Sequence, residues 1–321
     1  MVGNISFSFT LSGIPELGDN QHWMAFPLCV LYIIAFVGNS TILFLIITDR
    51  SLHQPMYILL SMLSLTDIGV SFTSFPTMLS VFFLNYNQIY FESCLTQMYF
   101  LHTFAAMESG VLVAMAVDRL IAICDPLRYS AILTSSVLAR IATVIFIRGI
   151  CVVFPIPFLT RRFPFCKSLA LSHSYCLHQD VIRLACADTT VNNIYGLVAV
   201  LMTKGVDSLF IIVSYGMIFR AVLNITIHKA RYKTFSTCIS HICAVLLFYI
   251  PLIGLTVVHR FGKHTSPLLL IVMADIYLLL PPVINPLIYS IKTKQIRHKI
   301  IMTFRGKSSV THNTGISVLG N

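Results

Sequence analysis

The stretch MAVDRLIAICDPLRY, Met115 to Tyr129, places a charged pair, Asp118-Arg119, inside an apolar run that stops at Pro126. In a soluble protein, this could be a buried ion pair near the end of a helix. The composition of the chain argues against a soluble protein. Of its 321 residues, 56% are hydrophobic and 11% are charged, whereas soluble domains carry about 25% charged residues. The chain is therefore predicted to lie in a lipid bilayer.

Seven apolar runs are long enough to cross a bilayer, which takes about 20 residues per helix. They cover residues 24–47, 56–83, 96–123, 138–159, 194–223, 233–258 and 268–291. We predict an all-α membrane protein, a seven-transmembrane helix bundle that forms one domain (24–291) between an N-terminal segment (1–23) and a C-terminal segment (292–321). Residues 294–304 place isoleucine and phenylalanine at helical spacing among basic residues, which predicts a short amphipathic helix on the inner leaflet.

Basic residues gather at the ends of these runs, so the net charge of +10 indicates membrane orientation rather than a nucleic-acid surface. Because short cytoplasmic loops are enriched in Lys and Arg, the segments between runs three and four, between runs five and six, and after run seven are predicted to be cytoplasmic. The N-terminus is then extracellular. The segment between runs four and five also contains Arg161, Arg162, Lys167 and Arg183 and is the one exception.

Five of the nine cysteines fall within or at the ends of the apolar runs, and the other four lie on the predicted extracellular side: Cys94, Cys166, Cys176 and Cys186. This is the oxidising side for a surface protein. Four cysteines allow three pairings, and the sequence alone does not choose among them.

Ionisable side chains inside a membrane span are costly and indicate function by default. Here they are Asp67, Glu108, Asp118, Arg119, Lys204 and Asp207. Asp118-Arg119 either anchors its span at the interface or holds an arginine that is released when helices move. Lys204 and Asp207 are three residues apart and are expected to neutralise each other. The carboxylates of Asp67 and Glu108 either bind a cation, share a proton or have a purely packed role.

Several short motifs follow each other in a fixed order along the chain. They are GN at Gly38-Asn39, LHQPMY at Leu52–Tyr57, the Asp118-Arg119 stretch, SY at Ser214-Tyr215, KTFSTCISH at Lys233–His241, FYIP at Phe248–Pro251 and PPVINPLIY at Pro281–Tyr289. Together they resemble the odorant receptors, which are rhodopsin-like G-protein-coupled receptors. The departures from the usual form of the Asp118-Arg119 stretch are Val117, Leu120 and Asp125, which put the efficiency of coupling in doubt.

The resemblance implies a role for the charged pair of the opening stretch. In such receptors it ends span three at the cytoplasmic surface, and activation moves span six outward so that a stimulatory or olfactory-type G protein docks beside Arg119. Tyr215 and Tyr289 are then the expected partners of Arg119 in the open state. Catalysis of nucleotide exchange belongs to that partner, so the chain is not expected to be an enzyme.

Two further features of the family concern the bundle and its outer face. The resemblance implies a sodium ion at Asp67 and Glu108, with Ser64 or Asn285 as possible neutral ligands. It also implies that Cys94 pairs with Cys176 and Cys166 with Cys186, so that the long loop forms a lid. A glycosylation sequon begins at Asn4 on the predicted outer terminus.

The segments HSYCLHQD, His173 to Asp180, and VVHRFG, Val257 to Gly262, resemble the fish-like class I odorant receptors, many of which respond to carboxylic acids. This implies that Arg260 binds a carboxylate through its planar guanidinium, with His102, Gln179 and Thr256 around the ligand. From the residues alone, an arginine at a span end such as Arg260 is more often an interfacial anchor, and His102 could instead be a core histidine.

Other function classes find less support. The sequence contains no HExxH, P-loop or GxSxG motif, and so offers no enzyme signature. A channel or transporter would need a polar path, for which Asp67, Glu108 and Lys204 are the candidates. The expected function is therefore that of an odorant receptor in the plasma membrane, with a small volatile ligand and a heterotrimeric G protein as partners.

Overall fold

The computed structural model describes residues 7–14, 21–166, 169–224, 228–261 and 266–304, and only the backbone at 228–237, 259–261, 267, 292, 294 and 303–304. It confirms seven helices long and apolar enough to span a membrane. They are His22–Thr48, Pro55–Phe82, Phe91–Cys124, Ser135–Arg161, Thr190–Leu223, Cys238–Val258 and Leu268–Ile291, here called spans one to seven. Spans six and seven lie within the helices His228–Phe261 and Pro267–Lys292.

Local chemistry explains where several spans begin. Pro55 stands in the first turn of span two, where its missing N–H costs nothing. Thr134 caps span four by accepting a hydrogen bond from the Val137 N–H at 3.4 Å. Span three ends at Cys124, directly before Asp125 and Pro126, because the residue before a proline disfavours the helical conformation.

The motif Gly38-Asn39 fits span one to the proline-rich part of span seven. Pro286 has no N–H, so the Pro282 carbonyl four residues earlier loses its helical partner. The Asn39 amide donates to that carbonyl at 2.8 Å. Gly38 permits the approach, since a Cβ there would lie 2.9 Å from the Pro286 side chain. The Gly38-Asn39 motif and the proline-rich motif of span seven are therefore packed and hydrogen-bonded to each other, although some 240 residues separate Asn39 from Pro282.

A short helix, Lys294–Phe304, follows span seven, as predicted. Ile296 is buried, whereas Arg297 and His298 are exposed. Tyr57 donates a hydrogen bond to Gln295 at 2.5 Å, and Lys299 forms an ion pair with Asp49 after span one. Lys299, and then Ser51, lower the pKa of Asp49. The helix is thereby held against the ends of spans one and two.

The N-terminal segment forms part of the lid over the bundle, which the sequence did not predict. Strand Ser8–Thr10 pairs antiparallel with strand Gln88–Tyr90. On its other side, Thr10 donates to the Leu169 carbonyl at 2.8 Å and accepts from the Leu171 N–H at 2.8 Å. The N-terminal strand thus lies between the loop that follows span two and the loop that follows span four.

Aromatic side chains pack beneath this strand. Phe9 is completely buried and contacts Phe7, Phe91 and Phe165 with ring centroids 5.4–5.8 Å apart. A lid tyrosine, Tyr175, reaches the Ala274 carbonyl of span seven at 2.9 Å. The lid is therefore a small packed layer of its own, and it is joined to the bundle.

Two disulfide bonds complete the lid. Cys94 is bonded to Cys176 and Cys166 to Cys186, the pairing that the resemblance implied. The first joins the outer end of span three to the long loop, and the second closes a turn within that loop. The loop also contains a short helix, His178–Arg183. The sequon at Asn4 lies outside the described residues.

We predict that the Cys94–Cys176 bond contributes more to stability than the Cys166–Cys186 bond. Losing a native disulfide typically costs about 2–5 kcal/mol, and the loss grows with the length of the closed loop. The first bond closes a separation of 82 residues and the second one of 20. The variant Cys94→Ser/Cys176→Ser should therefore have a lower unfolding temperature and poorer surface delivery than Cys166→Ser/Cys186→Ser. A Cys94–Cys166 peptide in an unreduced digest would contradict the pairing.

Candidate functional site

At the predicted cytoplasmic end of span three, Arg119 is bound by its own neighbour. Its Nε and one Nη donate to the same Asp118 oxygen at 2.9 and 2.6 Å. The other Asp118 oxygen accepts a hydrogen bond from Tyr129 at 2.7 Å. Burial, and then this hydrogen bond, raise the pKa of Tyr129, so it remains a donor. The Asp118 side chain is 1% exposed and the Arg119 side chain 15%, so the arginine is only partly accessible.

Tyr215 and Tyr289, expected to meet Arg119 in an open state, are not bonded to it in this structure. The Tyr215 hydroxyl lies 2.6 Å from His241 Nδ1 of span six. The Tyr289 hydroxyl is buried with no hydrogen-bond partner among the described residues. The structure therefore shows a closed arrangement, in which Arg119 is engaged with its own helix and span five is tied to span six.

A cavity of about 90 Å³ lies under the lid, between spans three to seven. Three of the four residues expected at the ligand, His102, Gln179 and Thr256, line it together with Lys204. The rest of the lining is mostly aliphatic. Arg260 lies four residues after Thr256 in the same helix, and its side chain is outside the described part of the structure.

Two polar groups of the cavity are free to meet a ligand. His102 Nε2 is buried without a hydrogen-bond partner among the described residues. Lys204 is 6% exposed, and no described carboxylate lies within ion-pair distance of it. By contrast, His178 of the lid lies 2.9 Å from Asn192, and burial lowers its pKa, so it is neutral. The cavity thus suits a small molecule with an apolar chain and one hydrogen-bond-accepting group.

The expectation that Lys204 and Asp207 neutralise each other is wrong. Both Asp207 oxygens instead accept hydrogen bonds from Arg148 of span four, each at 2.6 Å. A π-helical turn at Leu201–Gly205 is the reason. Its extra residue rotates the preceding side chains relative to a regular helix, and no ion pair joins Lys204 to Asp207 in the described structure. Its strongest electrostatic partner is Glu108.

Ser109 of span three joins this ion pair to span six. Its hydroxyl lies 2.8 Å from Asp207 Oδ2, 2.8 Å from the Tyr249 hydroxyl and 3.0 Å from the Thr203 carbonyl. Thr203 belongs to the π-helical turn and lines the cavity. A ligand that moves this turn therefore acts on the same hydroxyl that holds span six.

Asp67 lies deep in the bundle beside span seven. The Asn285 amide donates to its two oxygens at 3.0 and 3.4 Å. Asn285 Oδ1 is buried and has no hydrogen-bond partner among the described residues. Glu108 is 3% exposed, and Asp67 is its repulsive electrostatic neighbour. Carboxylate and amide oxygens of this kind are the ligands that hard cations take.

Sequence reasoning missed Arg148 and Asp275, two of the ionisable residues inside spans. Arg148 lies within run four, and the rule that a membrane arginine needs an acidic partner would have linked it to Asp207. Asp275 of span seven has one buried oxygen without a partner in the described structure. Tyr249 and His241 were also missed, because only the fold brings them to Ser109 and Tyr215.

We predict that Arg148 and Asp207 are coupled and that Lys204 and Asp207 are not. Removing one member of a buried pair typically costs about 3–5 kcal/mol, whereas apolar replacement of both is often tolerated. Thermal unfolding should therefore show Arg148→Met/Asp207→Leu to be more stable than either single variant. A matched double-mutant cycle with Lys204→Met should give little coupling. Stronger coupling to Lys204 than to Arg148 would contradict the structure.

Comparison with known proteins adds independent findings. The chain matches the olfactory receptor family over residues 28–307. It is 51% identical to human olfactory receptor 51G2 over 301 residues, which covers 94% of this chain and 96% of that protein. It is also 51% identical to human olfactory receptor 51E2, with 93% of each chain covered.

A solved structure supports the fold. The crystal structure of squid rhodopsin superposes with a TM-score of 0.71, at 18% identity, over 86% of this chain and 83% of that chain. Both the sequence relatives and the seven spans indicate a multi-pass receptor of the plasma membrane, with a small-molecule ligand and a G protein as partners, and not an enzyme. The chain belongs to the olfactory receptor family of G-protein-coupled receptors.

Proposed function

We propose that this receptor detects small volatile carboxylic acids and activates a stimulatory, olfactory-type G protein that raises cyclic AMP. The observation that carries the ligand class is the cavity, in which His102 Nε2 lacks a described partner and Lys204 is a buried cation. A carboxylate provides acceptors for both groups. The aliphatic lining takes the chain of the acid.

We assign the carboxylate to Arg260, with Gln179 and His102 around it and Thr256 beside the chain. Gln179, His102 and Thr256 line the cavity, and Arg260 follows Thr256 by one helical turn in the direction of the lid. A guanidinium binds a carboxylate through two parallel hydrogen bonds. Lys204 is the alternative anchor, because it lies in the same cavity.

We expect the volume of the cavity to select the length of the acid's carbon chain. The cavity measures about 90 Å³, and each methylene in an apolar pocket changes binding by about 1–3 kcal/mol. We therefore expect graded responses to related acids, with a preference for short chains.

The proposed coupling places the N-terminus outside the cell and Asp118-Arg119 at the cytoplasm. A ligand favours the open state by its differential affinity for that state. Opening separates Arg119 from Asp118 and moves span six, so that the G protein docks beside Arg119, with Tyr215 and Tyr289 as its new partners. The closed contacts of Arg119 and Tyr215 described above are the starting point of this change.

We expect Arg260→Ala to lose responses to acids by at least about tenfold. Truncating a charged hydrogen-bonding partner in a desolvated site costs about 2–5 kcal/mol, and about 1.4 kcal/mol corresponds to tenfold. Arg260→Lys keeps the charge without the planar fork and should recover part of the response. The measurement is a cyclic-AMP dose–response to straight-chain acids of increasing length and to the alcohols of the same length.

The matched variant in this assay is Lys204→Gln, and Arg119→Ala is the control that should abolish coupling while surface delivery survives. An antibody to an N-terminal tag on intact cells normalises expression and checks the orientation. Unchanged potency of acids on Arg260→Ala, with loss on Lys204→Gln, would transfer the anchor to Lys204. Activation of the parent by alcohols only would contradict the acid class, and a full response from Arg119→Ala would contradict the coupling.

We also infer that Asp67, Glu108 and Asn285 hold one sodium ion that stabilises the closed bundle. The support is the oxygen-rich donor set around the spare Asn285 oxygen. The alternative occupant is a proton shared by the two carboxylates.

Sodium should raise the thermal stability of the purified receptor relative to choline at equal ionic strength. A site held at a hundredfold excess over its Kd contributes about 2.7 kcal/mol. Asp67→Asn should remove the difference between the two salts. An equal difference in parent and variant would exclude this site, and a parent that responds to pH but not to sodium would indicate the proton.

A further inference from the structure

Two grooves flank the outer half of span three on the surface of the bundle. One, of about 780 Å³, lies between spans two and three. The other, of about 280 Å³, lies between spans three and four. Glu92 and Thr96 line both. The grooves therefore meet at a common rim near the lid.

Both grooves face the hydrocarbon of the bilayer. Phe72 of the first groove is 72% exposed and Phe158 of the second is 53% exposed. On span two, the first groove extends from Leu65 to Thr77, which is about 18 Å at 1.5 Å per residue. That length is close to one leaflet, since the whole hydrocarbon core is about 30 Å thick. Each groove therefore fits an acyl chain that enters from the rim.

The rim carries one charge of each sign. Arg161, at the end of span four, lies 2.9 Å from the Glu92 carboxylate at the start of span three. Their side chains are 63% and 62% exposed, so both charges are accessible at the depth of lipid headgroups. An exposed pair of this kind contributes little to folding, which leaves both groups free to exchange partners. A headgroup with a phosphate and an ammonium complements the pair, whereas a sterol offers no charge and an anionic headgroup offers Glu92 no partner.

We propose that the two grooves bind one zwitterionic glycerophospholipid. Its phosphate lies on Arg161, its ammonium on Glu92, and one acyl chain lies in each groove. This site is separate from the odorant cavity and uses none of its residues. The site lies in the outer leaflet if the N-terminus is outside the cell, and this placement alone depends on the proposed function.

The first groove also contacts the lid. Gln97 lines this groove and donates to Thr77 Oγ1 at 2.6 Å, while its carbonyl oxygen accepts the backbone N–H of Cys176 at 3.0 Å. Cys176 is the lid end of the disulfide to span three. An acyl chain of the lipid that packs against Gln97 excludes water from these hydrogen bonds. Bound lipid is therefore expected to stabilise the lid.

The test counts lipids retained by the intact receptor, purified in detergent and titrated separately with phosphatidylcholine, phosphatidylglycerol or cholesterol, using native mass spectrometry. The parent should retain one phosphatidylcholine in preference to the other two. Arg161→Gln should weaken retention about fivefold, the effect of one basic residue at a lipid surface. Glu92→Gln should remove the preference over phosphatidylglycerol.

Thr96→Trp fills the common rim while keeping both charges and should abolish retention. The matched control is Val144→Trp, at a lipid-facing position of span four that is 63% exposed and outside both grooves. Equal retention by these two variants, or equal retention of all three lipids by the parent, would overturn the proposal. Since no odorant or cyclic-AMP response enters this measurement, its failure would leave acid detection standing.

Discussion

The low dielectric of the bundle interior is the constraint on which the rest of the structure depends. A charge placed there is costly unless it is paired or hydrogen-bonded, and several carboxylates of the interior are arranged accordingly. Arg148 donates to both oxygens of Asp207, Arg119 and Tyr129 donate to Asp118, and Asn285 donates to Asp67. The first and the last of these pairs join spans that are distant in the chain.

The functions proposed for this receptor use three of the places where this pairing is incomplete. Within the described structure, His102 Nε2, the Asn285 carbonyl oxygen and the Tyr289 hydroxyl are buried without partners. The first lies in the cavity under the lid, the second beside Asp67 and the third near the end of span seven that is remote from the lid. A ligand, an ion and a rearranged helix are respectively the partners proposed for them. The three sites lie at successive depths, and Ser109 links the cavity to span six between them.

Hydropathy and motif order were sufficient to predict the seven spans, the C-terminal helix and membership of the family. They were sufficient because a span of about 20 apolar residues is a local property. Arg148 with Asp207, and Ser109 with Tyr249, could not be derived in this way, since the partners come from different spans. The π-helical turn at Leu201–Gly205 was also unforeseen, and it reversed the expected pairing of Lys204. Three of the predicted ligand residues do line one cavity, whereas the contact made by Arg260 remains a prediction.

The N-terminal strand has a consequence for the order in which the receptor is made. Thr10 is synthesised about 160 residues before its hydrogen-bond partners Leu169 and Leu171. The strand can pair with Gln88–Tyr90 earlier, but its second side stays open until span four has been inserted. Phe9, fully buried in the finished lid, cannot pack against Phe165 during that interval. Closure of the lid is therefore a late event that reports completion of at least four spans, and a chain stalled before that point carries an exposed aromatic segment that chaperones can recognise.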